Sequence, residues 1–233
     1  MPNPTGIAPW DRLFPDGVAI TIAGEPERTR QLGKAEHACI AGAVETRQRE
    51  FTAGRNCLHR CLKVLGLEIH PPILMGDLRQ PLLPTGYVGT VSHCKAYCVA
   101  AVGPQSHFKG IGLDVEHNSP LEPGLAELIC TREELSSAKA FLNHLPNTHR
   151  QQYPDPGKLI FSIKESFYKA YFPQVKAYFD FMDVNVRLDL ENGSGQLQFL
   201  QPVGNQSKLD TQCYNTRFTW DDQYVYSAIS IMQ

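Results

Sequence analysis

One stretch of the chain, residues 160–171 (Ile-Phe-Ser-Ile-Lys-Glu-Ser-Phe-Tyr-Lys-Ala-Tyr), combines a strongly apolar pattern with charged side chains. Its apolar residues recur at spacings of three and four, which predicts a helix buried over much of its circumference. Lys164, Glu165 and Lys169 interrupt that pattern. Glu165 and Lys169 are four residues apart, so they project from one face of the helix. They form either an exposed ion pair or a pair of charges directed together toward a ligand.

A second stretch, residues 110–116 (Gly-Ile-Gly-Leu-Asp-Val-Glu), alternates in a way that predicts a strand. Asp114 and Glu116 then share one face about 7 Å apart, where two carboxylates repel unless a cation or solvent separates them. Together with Glu165 they make an all-oxygen set that suits Mg²⁺, or Mn²⁺ in its place, and leaves positions for water and substrate phosphates. Lys169 would supply positive charge to such a phosphate.

A long helix is predicted from about residue 41 to residue 65, with a stop at Gly66. One side of this helix is apolar and the other is basic. Arg47 and Arg55 are eight residues apart, close to two helical turns, and could address one anionic ligand from a single face. Two interpretations compete with ligand binding. The basic face could simply be solvated, and Arg55 could have a structural role in which it ties the helix to the sheet.

The composition limits the classes of partner. The chain has 233 residues and a net charge of −2, so it carries no field that favours nucleic acid, and any phosphate must be held by local basic groups. We found no signal sequence and no apolar segment of membrane-spanning length, and we interpret the seven cysteines as reduced, which predicts a cytoplasmic location. Cys57 and Cys61 around His59 are alternatively a metal site, but buried thiols are the preferred interpretation.

Residues 110–116 followed by residues 161–169 resemble the paired signature motifs of the 4′-phosphopantetheinyl transferases. These enzymes move the phosphopantetheine arm of coenzyme A onto a serine of an apo acyl or peptidyl carrier protein. Residues 51–55 (Phe-Thr-Ala-Gly-Arg) are similar to the Gly-Arg helix motif of that family, and residues 79–93 resemble its basic, proline-containing segment that ends in Ser-His. The length is similar to that of the larger siderophore and surfactin type.

The resemblance implies an α+β fold made of two similar α/β subdomains, each a helix plus an antiparallel sheet. The two would form an intramolecular pseudo-dimer with coenzyme A in the cleft. A polar loop at residues 103–110 places the predicted boundary. Residues 1–106 then form the coenzyme A-binding half, and residues 107–233 form the metal-binding and catalytic half. A monomer without a membrane span is expected.

The motifs and the resemblance together assign three sets of residues. Coenzyme A would be bound by Arg47, Arg55, Arg79, Ser92, His93 and Lys169; the metal ion would be held by Asp114, Glu116 and Glu165; and Asp114, Glu165 and Lys169 would be catalytic. In the family, the serine and histidine of the Ser-His pair contact coenzyme A phosphates. Glu165 is either a metal ligand, the base that deprotonates the carrier serine, or both.

Two other classes of function stay open. A different Mg²⁺-dependent phosphoryl-transfer enzyme or nuclease could use the same carboxylates, but it would not need a basic helix and a Ser-His segment suited to coenzyme A. A catalytically silent module that binds coenzyme A or a carrier protein is the second alternative. Such a module has no reason to retain the carboxylates and the lysine of the two signature motifs.

Overall fold

The computed structural model describes residues 10–68, 71–204 and 210–233; residues 1–9 of the predicted first half lie outside these ranges. The helices are α1 Trp10–Leu13, α2 Glu25–Thr29, α3 Lys34–Ala38, α4 Glu45–Val64, α5 Leu125–Ile129, α6 Arg132–His144, α7 Asn147–Arg150 and α8 Pro156–Val175. The strands are β1 Ala19–Ile22, β2 Leu74–Met75, β3 Pro81–Leu82, β4 Tyr87–Cys94, β5 Tyr97–Pro104, β6 Phe108–His117, β7 Val184–Asp189, β8 Ser194–Phe199, β9 Tyr214–Trp220 and β10 Tyr224–Met232. A short 3₁₀ helix, Phe181–Asp183, precedes β7.

The first half is built on α4, which lies against a three-stranded antiparallel sheet of order β1-β5-β4. The predicted long helix is confirmed: α4 covers 20 residues, and Gly66 follows its end in the left-handed region at φ 88°. Its buried face carries Cys57, Leu58 and Cys61, which pack with Ala100 of β5. Cys57 and Cys61 are free thiols in this core, as the preferred interpretation required.

The second half is built on α8, which packs against a five-stranded antiparallel sheet of order β6-β10-β9-β8-β7. Asp155 caps the helix by accepting a hydrogen bond from the amide of Lys158 at 2.9 Å, and Pro156 occupies the first turn, where its missing N–H costs nothing. Leu159, Ile163 and other apolar residues of α8 are fully buried on the sheet. The predicted helix is therefore confirmed.

Two glycines allow α8 to approach β6 closely. A methyl group at Gly110 would overlap the carbonyl of Ala170, and one at Gly112 would overlap the carbonyl of Ser166. The absence of side chains at these two positions brings the helix backbone onto the strand. This close packing determines the distance between Asp114, two residues further along β6 than Gly112, and the charged residues of α8.

A shared apolar core joins the halves. It contains residues of β5, β6 and β10 together with Trp10 of α1 and Phe14. The fold is thus α+β, with one 20-residue helix on an antiparallel sheet in each half, and the predicted fold class is confirmed. Among the described ranges, no helix combines the length and apolar character of a membrane span.

Candidate active site

A cavity of about 600 Å³ lies where the two halves face each other. Its walls come from α4 and β4 of the first half and from β6 and α8 of the second half. All nine predicted site residues line it: Arg47, Arg55, Arg79, Ser92, His93, Asp114, Glu116, Glu165 and Lys169. Positions more than 100 residues apart in the sequence are therefore brought into one cleft, with basic groups mainly on the first-half wall and carboxylates on the second-half wall.

Asp114 lies at the centre of the acidic wall and is 2% exposed. Its Oδ1 accepts a hydrogen bond from the hydroxyl of Ser92 at 2.8 Å and one from the ammonium of Lys169 at 2.7 Å. The same ammonium donates to Ser92 Oγ at 3.1 Å. Oδ2 of Asp114 is buried and has no hydrogen-bond partner among the described residues.

Glu116 and Glu165 are half-buried and line the same cavity as Asp114. Burial raises the pKa of Glu116, and the neighbouring Asp114 raises it further, whereas Lys158, with Nζ at 3.6 Å from Oε2, opposes that rise. Burial also raises the pKa of Glu165, an effect that Lys169 partly offsets. These shifts follow from placing like charges together in a partly desolvated cleft.

The donor set suits a divalent ion that completes its coordination with ligand oxygens. Asp114 offers a buried, unpartnered oxygen, and two further carboxylates line the same cavity. No group of three or more His, Cys, Asp or Glu side chains in the described part of the chain is arranged to hold a metal ion by itself. Mg²⁺ commonly takes only one or two carboxylates and obtains the rest of its oxygens from water and substrate phosphates, so the residues present fit such an ion.

The basic wall contains a linked set of three side chains. The guanidinium of Arg47 lies 3.2 Å from Nε2 of His93, and Nδ1 of His93 lies 3.5 Å from Glu50 Oε1. Because arginine can only donate, Nε2 of His93 is the acceptor and its ring proton faces Glu50. Burial is the main cause of the lowered pKa of His93, and Glu50 acts in the opposite direction. The imidazole is therefore held neutral beside a permanent positive charge.

Glu50 was not among the predicted site residues. It also pairs with Arg47 at 3.4 Å, from three positions further along α4. The spacing of three on a helix is the sequence signal that could have identified this ion pair. Glu50 thus contacts both Arg47 and His93 inside the cleft.

Arg55 lines the cavity but is buried, with its guanidinium bound to backbone carbonyls. Its Nε donates to the carbonyl of Ile73 at 2.7 Å and its Nη2 donates to that of Leu74 at 3.3 Å, while the guanidinium lies 4.1 Å from the centre of the Phe51 ring. Burial lowers its pKa to about 10. These contacts correspond to the structural alternative for Arg55, because two of its three guanidinium nitrogens donate to the backbone at the start of β2.

Replacing Arg55 by methionine should lower the free energy of unfolding by about 1–3 kcal/mol, because two carbonyls lose their donors. Urea denaturation measures this loss, with Arg49→Met as the control, since Arg49 lies on the exposed side of the same helix. The Michaelis constant for coenzyme A should change little. A large rise in that constant at unchanged stability would instead support the predicted coenzyme A contact.

Arg79 lies on the loop before β3 with its backbone in the left-handed region at φ 67°. Its amide donates to the carbonyl of Gly76 at 2.9 Å, which closes the turn. Its side chain is exposed at the rim of the cavity and makes no hydrogen bond or ion pair with the described residues. An unpaired guanidinium at this place is available to an anionic ligand.

Comparison with known proteins is consistent with this geometry. Residues 35–103 match the family model described as the 4′-phosphopantetheinyl transferase N-terminal domain, and residues 110–226 match that of the 4′-phosphopantetheinyl transferase superfamily. The chain is 30% identical over 189 residues to the 4′-phosphopantetheinyl transferase Npt of Nocardia iowensis, which covers 79% of this chain and 78% of the relative. It is 31% identical to the 4′-phosphopantetheinyl transferase Svp of Streptomyces mobaraensis, over 84% of this chain and 77% of that one. Enterobactin synthase component D of Salmonella typhimurium is 34% identical over 60% of this chain and 54% of its own length.

Proposed function

Because this chain belongs to the 4′-phosphopantetheinyl transferase superfamily, we propose that its cleft binds coenzyme A and a divalent metal ion side by side. The enzyme transfers the phosphopantetheine arm of coenzyme A to a carrier protein. The observation that carries the assignment of the cleft is its charge distribution: one wall presents arginines and a histidine beside one glutamate, and the facing wall presents three carboxylates together with three lysines. A pyrophosphate that binds together with a divalent ion uses both kinds of group: cationic side chains contact its oxygens, and carboxylates hold the ion.

On the basic wall, Arg47, Arg79 and His93 would bind coenzyme A phosphates. Arg79 has a free guanidinium, and the Arg47–His93 pair can turn its donors to a phosphate when one enters. Arg55 is left out of this set because its Nε and Nη2 already donate to backbone carbonyls. The two halves, residues 1–106 and 107–233, would act as the coenzyme A-binding half and the catalytic half.

On the acidic wall, Asp114 would hold Mg²⁺ or Mn²⁺ through its free oxygen. Glu116 and Glu165 would turn toward the ion when it binds, because the three carboxylates are not arranged around one point without it. A bound ion of this kind would neutralise charge on the pyrophosphate oxygens. Lys169 would add a fixed positive charge next to the same oxygens. Lys158, with Nζ 3.6 Å from Oε2, partly offsets the burial that raises the pKa of Glu116.

The group transfer would use Glu165 as a proton acceptor. The serine oxygen of the carrier forms a bond to the β-phosphorus of coenzyme A, and its proton passes to Glu165 directly or through water. The bond from that phosphorus to the bridging oxygen breaks, and adenosine 3′,5′-bisphosphate leaves. The raised pKa of Glu165 supports this role, because a stronger base accepts the proton more readily.

We further propose that the enzyme works as a monomer in the cytoplasm on apo acyl or peptidyl carrier proteins. Both walls of the cleft come from one chain, so a second copy is not needed to complete it. All seven cysteines are free, which suits a reducing compartment.

The direct test is incubation with coenzyme A, Mg²⁺ and an apo carrier protein, read by intact mass. The expected product is a carrier whose mass has increased by one phosphopantetheine arm, together with adenosine 3′,5′-bisphosphate. Omitting the metal, or adding a chelator, should stop the reaction. Hydrolysis of coenzyme A without carrier modification would favour another phosphoryl-transfer enzyme, and binding without any reaction would favour a silent module.

His93→Ala should raise the Michaelis constant for coenzyme A by about tenfold to a hundredfold, the range expected for one lost charge-assisted contact. With dephospho-coenzyme A, which lacks the 3′-phosphate, the effect should shrink if His93 contacts that group. His149→Ala is a matched control, because His149 is exposed on α7. An undiminished effect with dephospho-coenzyme A would assign His93 to the pyrophosphate instead.

A further inference from the structure

A second cavity, of about 230 Å³, lies outside the cleft, between α1, β9 and the turn that joins β7 to β8. Its polar lining includes Arg12 of α1, Arg217 and Thr219 of β9, and Glu191 and Gly193 of the turn. None of these residues lines the cleft. The cavity is therefore a separate site that the proposed transfer reaction does not use.

The two arginines of this cavity have no acceptor. The guanidinium groups of Arg12 and Arg217 are exposed and make no hydrogen bond or ion pair within residues 10–68, 71–204 and 210–233. Glu191 lines the same cavity but pairs with neither guanidinium. Two positive charges in one cavity repel each other, and an anion between them removes that repulsion. The cavity thus combines an excess of positive charge with unused hydrogen-bond donors.

The chemistry of the lining favours a small oxyanion. A guanidinium donates two parallel hydrogen bonds, and this geometry matches phosphate oxygens. The half-buried hydroxyl of Thr219 makes no hydrogen bond with the described residues and can add a further donor. The volume is below the range of about 300–1,000 Å³ that is common for larger organic ligands, so the cavity suits a phosphate group and not a whole coenzyme.

The two arginines come from elements near opposite ends of the chain. Helix α1 packs on β9 and β10, and its Trp10 ring lies 5.3 Å from the ring of Tyr226. Nε1 of Trp10 also donates to the hydroxyl of Tyr97 at 3.0 Å. These contacts hold Arg12 beside Arg217 on the face of β9 that does not pack against α8. One anion bound by both arginines would therefore connect α1 to the sheet of the second half.

We propose that Arg12 and Arg217 bind a tetrahedral oxyanion, either inorganic phosphate or the phosphate group of a small monoester, and that this anion links α1 to β9. Binding is independent of carrier modification, because the cavity shares no residue with the cleft. It raises the stability of the folded protein, since the arrangement of the two guanidinium groups exists only in the folded state.

Tryptophan fluorescence is a local probe of this site. The chain has two tryptophans, Trp10 on α1 and Trp220 in the wall of the cavity, and neither lines the cleft. Titration with inorganic phosphate should change the emission in a saturable way, with a dissociation constant of about 0.1–10 mM, the range for two charge-assisted contacts. Sodium chloride at equal ionic strength is the control for screening. Titration with glycerol 3-phosphate shows whether the site also accepts a monoester.

Arg12→Gln and Arg217→Gln should each weaken phosphate binding at least about tenfold. Arg217→Lys keeps the charge without the two parallel donors and should bind with intermediate affinity. The matched control is Arg187→Gln, which removes an exposed arginine of β7 that does not line the cavity and should leave binding unchanged. Arg79→Gln, which removes a guanidinium from the cleft, should also keep the fluorescence change.

Thermal melting gives a second measurement. Phosphate at ten times its dissociation constant should raise the melting temperature by about 3–6 °C, and the increase should be lost in Arg12→Gln and Arg217→Gln but kept in Arg187→Gln. Melting without phosphate confirms that each variant is folded. The rate of carrier modification at saturating coenzyme A should be the same for Arg217→Gln and the unmodified enzyme.

The source of the phosphate group follows from the two titrations. Tighter binding of glycerol 3-phosphate would support a monoester as the ligand, and tighter binding of inorganic phosphate would support the free ion. A fluorescence change that sodium chloride reproduces would overturn the proposal. So would a response to phosphate that persists in both glutamine variants, or the absence of any response in the unmodified enzyme.

Discussion

Glu165→Gln should reduce the rate of carrier modification by at least about a thousandfold, because it removes the proposed proton acceptor and a proposed metal ligand in one change. Glutamine has nearly the same shape as glutamate, so packing around α8 is retained. The measurement is the initial rate of holo carrier formation at saturating coenzyme A and Mg²⁺. Glu127→Gln is the matched control, since Glu127 lies exposed on α5 and contacts none of the cleft residues.

The same variant should be at least as stable as the unmodified protein at neutral pH. Burial raises the pKa of Glu165, so the folded state prefers the protonated carboxyl. Stability is then greatest below the unfolded-state pKa and declines as the pH rises toward the raised value. Above that value the penalty is fully present, and a neutral amide avoids it. Thermal melting at acidic and neutral pH should show a smaller pH dependence for Glu165→Gln than for the unmodified enzyme.

Mn²⁺ binding to Glu165→Gln separates the two roles of this carboxylate. A variant that is inactive but binds Mn²⁺ normally has lost only a base, whereas a variant with weakened Mn²⁺ binding has lost a ligand. Asp114→Asn should lose both activity and Mn²⁺ binding, because the free oxygen of Asp114 is the best-formed ligand position in the cleft. Near-normal turnover in Glu165→Gln would show that Glu165 is neither the base nor a required metal ligand.

Most of the predicted helices and strands followed from the local periodicity of apolar residues in the sequence. The apolar spacing predicted α4 and α8, the alternation predicted β6, and both long helices have the expected buried faces. Two further local features are the capping box at Thr131, where the amide of Glu134 donates to Thr131 Oγ1 at 3.2 Å, and the hairpin between β7 and β8 at Asn192-Gly193. These features depend on neighbours close in sequence, so the sequence alone is sufficient to predict them.

The direction of individual polar side chains was less predictable. Sequence spacing placed Arg55 beside Arg47 on a basic face, but its guanidinium turns to two carbonyls about 18 residues further along the chain. The hydrogen bonds of Ser92 with Asp114 and Lys169 likewise depend on how β4 packs against β6 and α8. Such contacts are set by tertiary packing, about which residue spacing carries no information.

Lys164 shows most clearly that residue spacing does not predict the direction of a side chain. It lies next to Glu165 in the sequence, yet the residue is only 2% exposed and does not line the cleft. It donates to the carbonyls of Ile129 at 2.9 Å and Phe181 at 2.8 Å, and it pairs with the carboxylate of Glu134. Burial lowers the pKa of Lys164, and Glu134 opposes that shift. The lysine therefore connects α8 with α5, α6 and the 3₁₀ helix.

Glu134 also accepts hydrogen bonds from backbone amides of β7 and of the residue that precedes α6. Its Oε1 accepts from the amide of Val186 at 2.7 Å and its Oε2 accepts from the amide of Thr131 at 2.6 Å. The carboxylate is almost completely buried, so it relies on these amides and on Lys164 to offset its loss of hydration. Removing the lysine would leave a buried negative charge without its counterion.

Lys164→Met should therefore lower the free energy of unfolding by about 3–5 kcal/mol, the range for breaking one side of a buried ion pair. Urea denaturation measures the loss, with Lys139→Met as the matched control, because Lys139 is exposed on α6. The rate of carrier modification should also fall, since α8 carries Glu165 and Lys169 and loses one of its anchors.

A double variant tests whether the charge of Glu134 is the cause. Glu134→Gln keeps an oxygen that can accept from Val186 but carries no charge, so adding it to Lys164→Met should recover part of the lost stability. The sum of the two single losses should exceed the loss in the double variant by at least about 1 kcal/mol. If the losses simply add, Lys164 acts through its contacts with the two carbonyls, and the ion pair contributes little to holding α8 in place.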